Sequence, residues 1–129
     1  MSFASVHVDD APEVRAPDGS VVRVLVRTQG GSMARFSLPP GAVSHAVCHR
    51  TVSEVWYVLA GRGRMWLQTG EQEQVVELVP GLSLAIPVGT AFQFRSSSAE
   101  TLQAIGVTMP PWPGEAEAFP VRGPWDPTA

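Results

Sequence analysis

The chain has 129 residues, the size of one ordinary domain and long enough to bury a core without disulfides. Its net charge of −3 and its charged fraction of 16% argue against a basic nucleic-acid surface or a polybasic membrane patch. The N-terminal sequence MSFASVHVDDAPEV lacks the basic start and apolar run of a secretion signal, and no stretch approaches the ~20 apolar residues that span a bilayer. We therefore expect a soluble, cytoplasmic protein with a small-molecule partner and with no nucleic-acid or membrane partner.

Short runs of β-branched and aromatic residues are separated by turn residues, which include most of the twelve glycines and twelve prolines. Pro17-Asp18-Gly19-Ser20 is the first such turn, because proline presets φ and glycine tolerates open backbone angles. The pattern predicts about nine strands, at residues 21–28, 33–38, 42–49, 54–59, 64–68, 74–79, 82–86, 92–95 and 102–108. No long helical period interrupts them. The chain is therefore predicted to be one all-β domain, a sandwich or small barrel at about 21–108.

Residues 109–129 form a different segment, the C-terminal tail, whose prolines forbid a long helix and discourage central strands. The tail also carries Trp112, Phe119 and Trp125, whereas disordered segments usually have few aromatic residues. We expect an extended tail whose aromatic residues pack on the barrel or on a second subunit.

The spacing of glycines and prolines over residues 33–108 resembles that of the cupins, which are small jelly-roll β-barrels, also called double-stranded β-helices. The first cupin motif, G-x5-H-x-H-x3,4-E-x6-G, is matched by Gly41, His49, Glu54 and Gly61. The second motif, G-x5-P-x-G-x2-H, is matched by Gly81, Pro87 and Gly89. The resemblance implies a small single-domain cupin, often a dimer, and in this family a divalent metal such as Mn, Fe, Ni or Zn.

Two of the four metal ligands that the resemblance implies are apolar in this chain. Val47 stands where the first motif histidine belongs, and Phe92 stands where the histidine of the second motif belongs. His49 and Glu54 remain, and imidazole and carboxylate both suit Zn, Fe and Mn. Two ligands do not make a site, so further ligands would have to come from His45, Gln68, Gln93, water or substrate. We expect that the chain does not hold a metal tightly through four ligands. The alternative is a metal site that includes His49 and Glu54.

His45 and His49 share one face of the predicted strand but lie ~13 Å apart, too far to meet at one ion unless the strand bulges. We interpret His45 as a rim or pocket residue. His49 and Glu54 are predicted to come side by side at the barrel mouth, through a hairpin between their strands. The alternative to a catalytic or metal-binding role is a hydrogen-bonded pair in a polar pocket.

If His49 and Glu54 face inward, alternation places Val47, Trp56 and Val58 inward as well. Together with Phe92 and Phe94, the inward residues Val47 and Trp56 are predicted to line an apolar substrate pocket. The alternative is that the aromatic side chains among them only fill the core. Cys48, the only cysteine, then points outward, and we predict no cysteine catalysis. An inward-turned arginine would suit a substrate carboxylate, and the sequence does not choose among the candidates Arg23, Arg27, Arg35, Arg64 and Arg95.

Two functions fit these residues. The first is an isomerase-, cyclase- or lyase-like enzyme in which Glu54 and His49 move a proton on a small carbonyl compound, with the Glu54 pKa raised beside Trp56. The second is a module that binds or senses a small molecule without changing it, which the apolar Val47 and Phe92 favour. We favour the enzyme. Outward apolar residues such as Tyr57 and Leu59 lead us to expect a homodimer.

Overall fold

The computed structural model describes residues 3–129, which form two antiparallel sheets and two short 3-10 helices at Val8–Asp10 and Glu115–Glu117. The strands, numbered in chain order, are β1 (Glu13–Arg15), β2 (Val21–Arg27), β3 (Ser32–Leu38), β4 (Val47–His49), β5 (Ser53–Ala60), β6 (Gly63–Thr69), β7 (Gln72–Leu78), β8 (Ser83–Ile86), β9 (Ala91–Ser96), β10 (Leu102–Met109) and β11 (Ala118–Pro120). In this part of the chain no helix is long and apolar enough to cross a membrane.

One sheet has six strands in the order β1-β2-β3-β10-β5-β8, and the other has five in the order β11-β4-β9-β6-β7. Their inner faces enclose a core in which Val58, Met65 and Leu78 have no accessible surface. Strand β5 shows how the sequence sets this arrangement: Glu54, Trp56 and Val58 are buried, whereas Val55, Tyr57 and Leu59 between them are exposed. The predicted all-β jelly-roll barrel is confirmed.

The predicted turns lie where the glycines and prolines indicated. Gly19 has a φ of 90°, which L-residues with a side chain rarely adopt, and the Asp18 carboxylate accepts hydrogen bonds from the backbone and hydroxyl of Ser20. This turn joins β1 to β2, a hairpin of which the sequence predicts only the turn and the second strand. Strand β1 was missed because it has three exposed residues and no periodic pattern.

The prediction of one strand over residues 42–49 was wrong, because only Val47–His49 is a strand. The preceding backbone bonds to different partners: Ser44 N donates to the Phe94 carbonyl, and His45 N donates to the Asp18 carbonyl. Those bonds pull the segment out of a regular ladder.

The predicted hairpin between the strands of His49 and Glu54 was also wrong. Strand β4 belongs to the five-stranded sheet and β5 to the six-stranded sheet, so residues 50–52 cross from one sheet to the other. His49 and Glu54 consequently face each other across the barrel interior.

The C-terminal tail packs on its own barrel. Strand β11 pairs with β4 at the edge of the five-stranded sheet, where the absence of an N–H on Pro120 is tolerated. The Gln93 side-chain amide donates a hydrogen bond to the Trp125 carbonyl and accepts one from the Trp125 backbone N–H. The Arg50 guanidinium lies 4.6 Å from the Phe119 ring centre. The expected aromatic packing of the tail is thus made within one chain.

Candidate functional site

A cavity of about 350 Å³ lies between the two sheets at the end of the barrel where β4 ends and β5 begins. Most of its wall is apolar, and its hydrophobic side chains include Phe36, Val47, Trp56, Phe92 and Trp112. The buried polar side chains on the wall are Asp18, His49, Glu54 and Thr108. A mainly apolar cavity with few polar groups is typical of small-molecule sites.

His49 and Glu54 meet inside this cavity. His49 Nδ1 lies 3.7 Å from Glu54 Oε1, and the two side chains are only 6% and 3% exposed. That separation is too long for a hydrogen bond, and Nδ1 has no hydrogen-bond partner within residues 3–129. The buried Nδ1 atom therefore faces the Glu54 carboxyl without a hydrogen-bond partner of its own.

The Glu54 carboxyl is held from its other side. Trp56 Nε1 donates a hydrogen bond of 2.7 Å to Glu54 Oε2, which leaves Oε1 as the atom nearest to His49. Burial raises the pKa of Glu54 to about 7, more than the Trp56 bond lowers it, and the negative charge of Asp18 adds to the rise. Both the protonated and the ionised form of Glu54 are therefore present near neutral pH, and burial is the cause of the raised pKa.

The pKa of His49 is shifted in the opposite direction from that of Glu54. Burial lowers its pKa below the usual 6.5, against a smaller opposite effect from the charge of Glu117. Its ring lies edge-on between two aromatic neighbours, Phe92 and Trp112, with both ring centres 5.1 Å away. At pH 7 the imidazole is accordingly neutral, because burial disfavours its charged form more than the charge of Glu117 favours it.

Three of the five predicted pocket residues line the cavity, namely Val47, Trp56 and Phe92. The prediction that Phe94 lines the pocket was wrong, because its buried ring packs edge-on against Trp56 in the core, with the ring centres 5.0 Å apart. The prediction of His45 as a pocket residue was also wrong. Its side chain is exposed and does not line the cavity, because the irregular segment before β4 turns it outward.

One of the arginines that the sequence offers for binding a substrate carboxylate lies at the cavity. Arg27 lines the cavity. The other candidates do not: Arg23 pairs with Glu13, Arg64 pairs with Glu77, and Arg95 stacks on Trp125. The fourth, Arg35, also lies outside the cavity wall, and its buried Nε has no hydrogen-bond partner within residues 3–129. Arg15, which is not among the candidates from the sequence, lines the cavity too, but donates to the Gly19 carbonyl.

Trp112 is a site residue that sequence reasoning missed. It lies on the cavity wall against His49, and its backbone N–H donates to Ser32 Oγ, which also bonds with Thr108. The tryptophan content of the tail predicted packing, but no spacing rule links a proline-rich tail to one particular histidine.

Glu117 fixes the tail beside the crossing between the sheets. Its carboxylate accepts hydrogen bonds from the Thr51 N–H, the Thr51 hydroxyl and the Val52 N–H. Burial alone would raise the pKa of Glu117, but these bonds and the nearby His49 together lower it. The bonds anchor the 3-10 helix at Glu115–Glu117 next to His49.

The side chains present do not fit the divalent metal that the cupin resemblance implies. Val47 and Phe92 occupy two ligand positions with buried apolar groups, and one Glu54 oxygen is committed to Trp56. Among residues 3–129 no three His, Cys, Asp or Glu side chains come together as a metal site would require.

The fold and the cavity define a jelly-roll barrel with an internal pocket. The profile of the family described as Cupin domain matches residues 34–108, and the chain accordingly belongs to the cupin family. Among curated protein sequences, none matches the chain.

Two solved proteins illustrate the fold similarity. Pac13 of Streptomyces, described as a nucleoside dehydratase, has a variant structure with uridine that aligns at a TM-score of 0.75 and 18% identity, over 95% of this chain and 93% of that one. Oxalate decarboxylase of Bacillus subtilis aligns at a TM-score of 0.80 and 17% identity, over 94% of this chain and 32% of its own length. At such identities the similarity concerns the fold.

Proposed function

We propose that this cupin is an enzyme that transfers a proton on a small organic molecule bound in the barrel cavity. Glu54 acts as the general base and acid, and the neutral His49 beside it donates a hydrogen bond to the substrate. The observation that carries the proposal is a Glu54 carboxyl with a pKa of about 7, facing an unpaired imidazole nitrogen inside an apolar cavity. A pKa near the working pH is what efficient acid–base catalysis needs.

The reaction begins when the ionised Glu54 removes a proton from a carbon next to a carbonyl group, and the electron pair left behind moves onto the carbonyl oxygen. The neutral His49 imidazole stabilises the negative charge on that oxygen by donating its one hydrogen bond to it. Glu54 then returns the proton. When the electron pair returns from the oxygen, protonation of another carbon of the same conjugated system isomerises the molecule. If the returning pair instead forms a carbon–carbon double bond as the bond to a neighbouring hydroxyl group breaks, the proton goes to that hydroxyl group and water is released.

The neighbours add support for the second outcome. Elimination of water needs a base and an acid within one site, and Pac13 is described as a nucleoside dehydratase. We therefore place a lyase-type reaction ahead of an isomerase or cyclase reaction for this chain. The substrate must enter a cavity of about 350 Å³, so it is a molecule of modest size.

The test is proton exchange followed by NMR. The purified protein is incubated in D₂O with a panel of small carbonyl compounds and nucleosides, and deuterium incorporation and new products are recorded. Loss of both in Glu54→Gln, which keeps the shape and the Trp56 hydrogen-bond acceptor, supports the proposal. Exchange that persists undiminished in Glu54→Gln refutes it.

The second candidate is a non-catalytic module that binds or senses a small molecule. The apolar Val47 and Phe92 favour it, because they bind a ligand without stabilising charge that develops during a reaction. In this case a ligand detected by thermal shift would be recovered unchanged after long incubation, in the wild type and in Glu54→Gln alike.

We also propose that the chain forms a homodimer through the outer face of the six-stranded sheet. Val55, Tyr57 and Leu59 are 42%, 50% and 44% exposed on one strand of that face. Ile105 and Val107 lie beside Tyr57 and Val55 on the neighbouring strand, which makes the exposed apolar surface continuous. A second copy would cover this surface.

A further inference from the structure

Gly106 lies on the inward face of β10, between Ala34 of β3 and Trp56 of β5. Its φ is outside the left-handed region, so the backbone there would accept any residue. Glycine in a strand interior weakens the strand and often marks a close approach by another group. The reason for glycine at this position must be sought in the space around it.

That space is taken by the parts of the candidate site. A Cβ at position 106 would lie 2.5 Å from Phe36 Cε2, 2.6 Å from Glu54 Oε2 and 3.2 Å from Trp56 Nε1. The last two atoms are the acceptor and the donor of the 2.7 Å hydrogen bond that holds the Glu54 carboxyl. Phe36 stacks on the Trp56 ring at 5.2 Å and closes the other side. The missing side chain of Gly106 therefore makes room for this hydrogen bond.

We propose that Gly106 is a positioning residue, which selects Oε1 as the oxygen of Glu54 that exchanges the proton by leaving room for Oε2 to bond to Trp56. With Oε2 engaged, Oε1 is the oxygen that faces His49 at 3.7 Å. The role of Oε1 in proton transfer rests on the proposed function. The placement of the carboxyl by Gly106 does not.

The test follows the Glu54 carboxyl carbon and the Trp56 indole N–H by NMR over a pH titration, which needs no substrate. In Gly106→Ala the added methyl displaces Oε2 from Trp56. The Glu54 midpoint should then rise by roughly one pH unit, because a hydrogen bond that stabilises the charged form is lost. The indole proton should also lose its response to Glu54 ionisation. Trp56→Phe, which removes the donor without adding a methyl, should shift the midpoint in the same direction.

Ala104→Val is the matched control, since Ala104 is buried on the same face of β10 and packs in the core. It should lower stability and leave both NMR readouts unchanged. If Gly106→Ala does not fold, Phe36→Leu combined with Gly106→Ala relieves the ring contact and retains the carboxyl contact. An unchanged Glu54 midpoint and an unchanged indole response in a folded Gly106→Ala chain, single or double, would overturn the proposal. That outcome would not affect the loss of proton exchange expected in Glu54→Gln. The proposal for Gly106 and the proposed function of Glu54 can therefore fail independently.

Discussion

His49 and Glu54 reach the same point of the barrel from opposite sheets, and their side chains approach to 3.7 Å across the interior. The crossing at residues 50–52 makes this possible, because it carries the chain from β4 to β5 without a hairpin. The consequences for stability, tail docking, metal binding and assembly can each be measured.

Burial of Glu54 should make folding stability depend on pH. A folded-state pKa of about 7 against 4.5 for an exposed carboxyl means that the native chain holds this proton more tightly than the unfolded chain does. The stabilisation is complete below pH 4.5 and is lost as the pH rises to about 7, at most about 3 kcal/mol. Urea unfolding at pH 5 and pH 8 should show this loss in the wild type relative to Glu54→Gln. Equal pH dependence in the two chains would contradict the assignment.

Glu117 should stabilise the chain through the crossing between the sheets. Glu117→Ala leaves the buried Val52 N–H and the Thr51 N–H and hydroxyl without their acceptor, which should cost about 3 kcal/mol of unfolding free energy. Because its folded-state pKa is lowered, the stabilisation is present above pH 4.5 and disappears as the pH falls through the folded-state pKa. Glu115→Gln, an exposed neighbour, is the control and should change stability by less than about 0.5 kcal/mol. Equal effects of the two substitutions would refute the anchoring role.

Metal loading should separate this cupin from relatives that use a metal. Protein purified without an affinity tag is offered Mn, Fe, Ni or Zn, dialysed, and measured by elemental mass spectrometry. We expect far less than one equivalent of each, with no difference between the wild type and His49→Ala, because Val47 and Phe92 supply no donor atoms. Stoichiometric metal that is lost in His49→Ala would show that other side chains join His49 to complete a site.

The homodimer should depend on the outer face of the six-stranded sheet. Tyr57→Glu introduces a charge into the exposed apolar row and should convert the dimer to a monomer in sedimentation velocity experiments. Val75→Glu is the control, since Val75 is 49% exposed but belongs to the other sheet. A wild-type chain that sediments as a monomer at all concentrations would exclude this assembly.

Local chemistry made much of the fold predictable. The turns at Gly61 and at Pro87-Val88-Gly89 follow from residues whose backbone preferences act without a partner. The alternation along β5 placed Glu54 and Trp56 inward, because the strand period is a property of the strand itself.

Long-range pairing was the part that the sequence could not supply. Whether β4 pairs with β5 or crosses to the other sheet depends on strands β9 and β11, which are far away in the chain. The same applies to Trp112, whose place beside His49 follows from how the tail docks, and to His45, which backbone bonds from distant segments turn outward.

The ionisation of Glu54 is the centre of this account, and its most direct measurement is the pH titration of the Glu54 carboxyl carbon by NMR, assigned by its loss in Glu54→Gln. The account predicts a midpoint near pH 7, with a simultaneous shift of the Trp56 indole proton and with His49 still neutral at that pH. A midpoint near pH 4.5 would mean that the carboxyl is fully ionised at neutral pH, and Glu54 would then not be the acid–base group proposed here.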